Sequence, residues 1–82
     1  MRVTVLVRPK AGILDPQGQA VQSSLEHLGF RVRGARVGRV IDLEVDEPDS
    51  TAAHAAAARM CEQLLANALI ESYEIELPEG GA

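Results

Sequence analysis

The 82-residue sequence has no tryptophan, one tyrosine and one phenylalanine. Its core must therefore be assembled from Val, Leu, Ile and Ala, each of which removes less apolar area from water than an aromatic ring does. A single cysteine excludes an internal disulfide. The only soft or imidazole ligands are His27, His54 and Cys61. His54 and Cys61 fall on one helical stripe, but seven residues at about 1.5 Å rise set them roughly 10 Å apart along the axis. Zinc bonds are only about 2.0 to 2.3 Å long, so the two cannot share an ion within one helix. Cys61 reads as a small core residue, and His27 as a surface group near a helix C-terminus, where the macrodipole favours positive charge. No apolar run approaches the roughly 20 residues needed to cross a bilayer. Met1-Arg2 leads into a short apolar run closed by Arg8 and Lys10, which does not read as a signal peptide. A soluble, cytoplasmic chain without a membrane partner is expected.

Length bounds the rest. Residues 1–82 make one domain, and a chain of this size buries only about 60 to 65% of the surface it exposes when unfolded. Self-association is a common remedy. The net charge of −4 conceals an asymmetry: residues 1–39 hold seven of the eight basic residues and only Asp15 and Glu26 as acids, giving about +5, and the remainder carries about −9. Arg31, Arg33, Arg36 and Arg39 do not make a nucleic-acid site, because no aromatic stacking platform accompanies them and the pI is about 5.0.

Periodicity gives the elements. In residues 2–8, Val3, Val5 and Val7 alternate with Arg2, Thr4, Leu6 and Arg8, the signature of a half-buried strand that Pro9 ends. From Pro16 the spacing becomes helical, with Val21, Leu25 and Leu28 on one stripe and Gly29 placed for a left-handed cap, which predicts a helix over 16–28. Asp15 is suited to accept the free amides of that helix's first turn, and Pro16 to the first helical position, where no donor is missed. Between Phe30 and Asp46 the apolar phase shifts from even (Val32) to odd (Val37, Ile41, Leu43, Val45). Two strands, about 31–37 and 39–46, joined at Gly38 satisfy this, as does one strand with a kink. Asp49-Ser-Thr51 offers caps for an Ala-rich helix reaching about Asn67. Tyr73, Ile75 and Leu77 alternate with Ser72, Glu74 and Glu76 in a last strand before Pro78 and a frayed tail, 79–82.

The order β-α-β-β-α-β predicts an α+β two-layer sandwich of ferredoxin-like type, with both helices on one face of an antiparallel sheet and the first strand at its centre. On the helix-free face Arg2 and Arg8 then stand among Asp42, Glu44, Glu74 and Glu76, so cross-strand pairing, worth about 0.2 to 1 kcal/mol per pair, accounts for the charge asymmetry.

Catalytic chemistry finds no foothold. The carboxylates of the second half lie mostly on a solvated strand face, where nothing would raise a pKa. Asp15, as a cap, is held ionised. Gly12 and Gly18 lack the Gly-Lys-Ser/Thr ending of a phosphate loop, and Asp15 would repel a phosphate at that helix start.

The stretch Lys10-Ala-Gly-Ile-Leu-Asp-Pro-Gln-Gly18, together with Leu28-Gly29-Phe30, Arg36-Val-Gly-Arg39 and Leu64-Leu-Ala-Asn67 before Glu71, resembles the PurS family, the small subunit of phosphoribosylformylglycinamidine synthase. The entry motif at 12–18 is fairly specific, and the other segments add by their order. Two positions depart from the pattern: Arg39, where lysine is usual, and Ala68, where proline commonly follows the asparagine. The resemblance implies an accessory subunit without catalytic residues or cofactors of its own. Its partners would be a glutaminase (PurQ-like) and a larger synthetase (PurL-like) that uses ATP and magnesium, and the chain would self-associate to a dimer or tetramer. It would bridge those partners while ammonia passes between them.

Lys10, Arg36, Arg39 and Asn67 are the candidate partner contacts, because they are polar or charged and fall at element ends. Asp15, Pro16, Gly18, Gly29 and Gly38 are read as backbone-shaping residues. The competing reading is a stand-alone module that binds a small regulatory molecule between protomers, which would favour a glycine-rich loop there; only Gly34 and Gly38 are present.

Overall fold

A computed structural model describes residues 1–78; the expected tail at 79–82 lies outside the described residues. Strand β1 (Arg2–Pro9) is followed by helix α1 (Pro16–His27), strand β2 (Arg39–Glu44), helix α2 (Ser50–Met60) continued by a π-helical turn over Cys61–Leu65, and strand β3 (Glu71–Glu76). The sheet is antiparallel with order β2-β1-β3. Val5 lies opposite both Ile41 and Ile75, so the odd positions of all the strands share a face. The α+β arrangement and the central place of the first strand are as expected.

The core follows from that register. Val3, Val5, Val7, Val45, Ala53, Ala56, Ala57 and Cys61 are buried, with Ile41, Leu43, Leu65, Tyr73 and Ile75 packed around them. Alanines at 53, 56 and 57 have no side chain beyond Cβ, so α2 approaches the β1 valines closely. Asp49 caps α2, its carboxylate accepting the Ala52 amide at 2.8 Å. The helix was expected to reach Asn67 but ends earlier, because Ala66 turns to extended backbone (φ −135°, ψ 143°) after donating its amide to the Cys61 carbonyl. At the end of α1, Gly29 has φ +96°, with Phe30 N bonded to Leu25 O at 3.1 Å and Gly29 N to Glu26 O at 3.0 Å. The left-handed cap expected at Gly29 is present, and its two bonds give it the Schellman pattern.

Two details depart from the sandwich drawn from the sequence. The segment 31–37, expected to be a strand, joins no ladder among the described residues. Part of the segment's backbone is bonded outside the sheet: Val37 donates to Asp15, and the Val32 carbonyl accepts from the Gln22 side chain at 3.1 Å. Helix α1, in turn, does not lie down on the sheet beside α2. Gly18 is its one buried residue, and Val21 and Leu28 are 42% and 73% exposed. The molecule is consequently elongated, 49 × 27 × 15 Å, with a radius of gyration of 15.9 Å. A compact chain of this length has about 12 Å.

On the helix-free face, Arg2 stands opposite Glu44, Thr4 Oγ1 donates to Asp42 at 2.9 Å, and Arg8 reaches Glu74 at 3.4 Å. Cross-strand pairing does absorb part of the charge asymmetry. Among the described residues, no helix is long and apolar enough to cross a membrane.

Candidate partner interface

The four residues singled out for partner contact converge on one end of the sheet. Lys10, at the exit of β1, donates its amide to the Ile70 carbonyl at 2.9 Å, which ties the 10–15 loop to the turn before β3, and its side chain is exposed. Arg36 donates to the Pro9 carbonyl at 3.2 Å. Arg39 crosses the end of β1 to meet Glu71 with two bonds, at 2.8 and 3.1 Å, and also donates to the Leu65 carbonyl at 2.7 Å. Asn67 donates its amide to Glu71 at 2.7 Å, and its side chain accepts from Leu69 N at 3.1 Å, shaping the turn.

These contacts divide the candidates by role. Arg39 places both arms of its planar fork on a carboxylate and a helix-terminal carbonyl, geometry that an ammonium cannot reproduce. Its charged form is favoured by Glu71, and Glu71 is held below the usual carboxylate range, first by Arg39 and then by the Asn67 amide. Arg39 and Asn67 therefore hold the scaffold together. Arg36 spends one nitrogen on Pro9, and the Lys10 ammonium makes no hydrogen bond or ion pair among the described residues, so both side chains are exposed and largely uncommitted. Glu71 was not singled out by the sequence reading, although its position four residues after Asn67 was the available signal.

The backbone-shaping assignments are refined. Pro16 opens α1 as expected. The Asp15 carboxylate, however, makes no capping bond of proper geometry to the first turn; its Oδ2 accepts the amide of Val37 at 2.9 Å instead. The amides of Gly18 and Gln17 lie close enough to favour its charged form, but the Val37 bond is the leading cause of its lowered pKa. A Cβ at Gly18 would collide with the Ala35 carbonyl, and one at Gly38 with the carbonyl of Val7. Both glycines thus permit close backbone approach, Gly18 seating segment 35–37 on the start of α1 and Gly38 seating it on β1.

Two clefts flank Gly38 and Arg39. One, of about 550 Å³, lies between the 10–15 loop and Ile70, with Ile13 and Leu14 as well as Asp15 and Glu71 in its lining. The other, of about 420 Å³, opens over Leu6, Arg8, Arg36 and Val40. Among the described residues no set of three His, Cys, Asp or Glu side chains is grouped to hold a metal ion. Cys61 is fully buried and burial pushes its thiol pKa up, whereas His54 is exposed, so the structure keeps them apart.

The family model PurS, described as phosphoribosylformylglycinamidine (FGAM) synthase, matches residues 2–79. A Synechocystis protein named phosphoribosylformylglycinamidine synthase subunit PurS is 44% identical over 77 residues, covering 93% of this chain and 75% of that protein. The solved structure of Bacillus subtilis PurS superposes with a TM-score of 0.83 at 38% identity, over 95% of this chain and 98% of that one. A chain of the structure described as PurLQS from Thermotoga maritima gives a TM-score of 0.83 at 30% identity, covering 92% of this chain and 93% of that one. With nearly its whole length matched in sequence and in fold, the chain belongs to the PurS family of phosphoribosylformylglycinamidine synthase.

Proposed function

We propose that this chain is a non-catalytic, organising subunit of a multi-component phosphoribosylformylglycinamidine synthase. It bridges a glutaminase and an ATP-using synthetase in the cytoplasm. The overall reaction converts formylglycinamide ribonucleotide, glutamine and ATP into formylglycinamidine ribonucleotide, glutamate, ADP and phosphate. Glutamine hydrolysis belongs to the glutaminase. Amide activation, with ATP and magnesium, belongs to the synthetase, and ammonia passes between the two. The observation that carries this reading is the close fold and sequence likeness to PurS proteins, one of them a chain of the PurLQS structure.

The residue chemistry supports an organising role. Asp15 and Glu71 are held ionised by hydrogen bonds, so neither is poised as a general base, and a buried thiol with a raised pKa is a poor nucleophile. The polar end of the sheet instead offers a rigid surface on which Lys10 and Arg36 are exposed. Self-association fits the uncovered stripe of α1 and the ladderless segment 31–37, both of which gain from a second copy.

Reconstitution tests the proposal. The glutaminase and synthetase are mixed with and without this chain, and glutamine-dependent formation of the amidine product is measured. The expected result is strong dependence on the chain with glutamine as nitrogen donor. Equal activity in both mixtures would remove the subunit role.

A further inference from the structure

We infer that the cleft between Arg8 and Arg36 is a receptor for a carboxylate side chain presented by a partner subunit, an assignment that rests on the bridging role proposed above. Arg8 lies near the end of β1 on the helix-free face, and Arg36 comes from the segment that precedes β2, so the fold rather than sequence proximity brings the two arginines to the lining of one cleft of about 420 Å³. Neither is fully engaged. The Arg8–Glu74 contact is 3.4 Å long between side chains 52% and 65% exposed, a pairing that contributes little and is readily exchanged. Arg36 uses one nitrogen on the Pro9 carbonyl at 3.2 Å, which fixes the side chain across the strand end and leaves the rest of its fork open among the described residues. The Arg36 charge is felt at Asp15, but that carboxylate is occupied by the Val37 amide.

Arg39 also borders the cleft, but both of its terminal nitrogens are committed to Glu71 and Leu65, so it contributes wall and field rather than donors. The floor is apolar, from Leu6 and from Val40, which is 66% exposed. A cleft lined by two arginines and by apolar Leu6 and Val40 suits an aspartate or glutamate side chain, which offers methylene carbons to the apolar lining and oxygens to a guanidinium. A phosphate fits less well. No helix N-terminus borders this cleft to add the backbone amide donors that phosphate sites use. The neighbouring cleft with Ile13 and Leu14 shares Pro9, Gly38 and Arg39 with this one, so a partner segment seated here has further surface to cover.

The test compares the complete chain with an Arg8→Ala/Arg36→Ala variant for binding to the isolated synthetase and glutaminase subunits by calorimetry, with an Arg31→Ala/Arg33→Ala variant as control. Circular dichroism and thermal melts establish that each variant is folded. The expected result is an affinity loss of roughly tenfold or more for the Arg8/Arg36 variant toward one subunit, little change for the control, and a wild-type affinity that falls with added salt. Unaltered binding by a folded Arg8/Arg36 variant would overturn the carboxylate site while leaving the subunit role intact. Failure of the wild-type chain to bind either subunit would overturn both. A parallel NMR titration follows the Arg8 and Arg36 side-chain Nε–H signals with N-acetylglutamate and with inorganic phosphate at equal ionic strength. Larger shifts with N-acetylglutamate support the assignment, and saturation by phosphate alone would reassign the cleft to a phosphate ligand.

Discussion

The Asp15 carboxylate accepts the backbone amide of Val37 at 2.9 Å, across 22 residues of chain. A residue whose position marks a helix cap thus acts as a clamp between the start of α1 and the approach to β2. With Gly18 buried against the Ala35 carbonyl, the clamp is what the structure offers in place of a broad helix-to-sheet contact. Asp15→Ala leaves the partly buried Val37 amide without its acceptor, which destabilises the junction between α1 and the approach to β2. The expected outcome is a lower Tm and faster hydrogen exchange at Val37, with exchange in β1 unaffected until global unfolding. Unchanged protection at Val37 would show the bond to be dispensable.

Acid sensitivity follows from the same carboxylate and from Glu71. Both have folded-state pKa values below their ordinary 3.8 and 4.5, Asp15 chiefly through the Val37 amide and Glu71 chiefly through Arg39. Below those ordinary values the unfolded chain takes up protons that the folded chain resists, so stability rises with pH there. The contribution is complete above about pH 5 and is lost as pH falls through the ordinary values and then the depressed ones. Chemical denaturation measured from pH 7 down to pH 3 is expected to show a flatter acid limb for Asp15→Asn and for Glu71→Gln than for the wild type. Parallel limbs would remove the linkage.

The two close-packed glycines make a sharper test, because propensity and sterics pull in opposite directions. Alanine at 18 favours the helix by roughly 1 kcal/mol. Its Cβ would nevertheless strike the Ala35 carbonyl and lie 2.6 Å from Asp15 Oδ2. Net destabilisation of about 1 to 3 kcal/mol is expected for Gly18→Ala and for Gly38→Ala, since backbone must move in both. Gly34→Ala, which meets open space and needs no left-handed backbone, is expected to be neutral or stabilising by up to about 1 kcal/mol. Denaturant midpoints that rank the three differently would discard the close-approach account.

These elements show where sequence is a good guide. The alternating valines of β1, the Asp49 cap and the Gly29 cap depend on neighbours within a few residues, and each was readable as a pattern. The segment 31–37 was expected to be a strand, yet it joins no ladder among the described residues, because its ends are held by contacts from outside the sheet, Val32 O by the Gln22 side chain and Val37 N by Asp15. The stripe Val21, Leu25, Leu28 announces a helix without saying what covers it. The candidate interface was legible as polar residues at element ends, but not which of them are occupied internally. Nothing in the sequence pairs Arg39 with Glu71 across 32 residues, or brings Arg8 to the same cleft as Arg36.

Arg39 provides a prediction in which charge and geometry separate. Arg39→Lys keeps the charge but cannot make two parallel bonds to Glu71 and a third to Leu65 O. The lysine variant is expected to retain the fold with a slightly lower Tm, and Arg39→Ala to fall further and to loosen the turn at Asn67, seen as faster exchange of the Asn67 amide. Equal Tm values for lysine and alanine would mean that only the aliphatic stem matters. Because Arg39 is structural, its charge reversal is a poor probe of partner binding, and Arg36 is the cleaner site.

The uncovered side of α1 bears on self-association. Leu28 and Phe30 are 73% and 60% exposed beside Val21 at 42%, a grouping of large apolar side chains that a solitary small protein rarely leaves in water. They lie outside the packed core, which is formed by β1, α2 and their immediate neighbours. A Leu28→Asp/Phe30→Ser variant therefore removes apolar surface without opening a cavity, and the monomer's stability should change little. If α1 joins copies of this chain, light scattering after size exclusion will give a smaller molar mass for the variant than for the wild type at equal concentration. Because the partner-facing end of the sheet is untouched, any loss of synthetase binding that accompanies the smaller mass would mean that assembly and bridging are coupled. An unchanged mass would place the self-association surface elsewhere, with the open edges of β2 and β3 next in line.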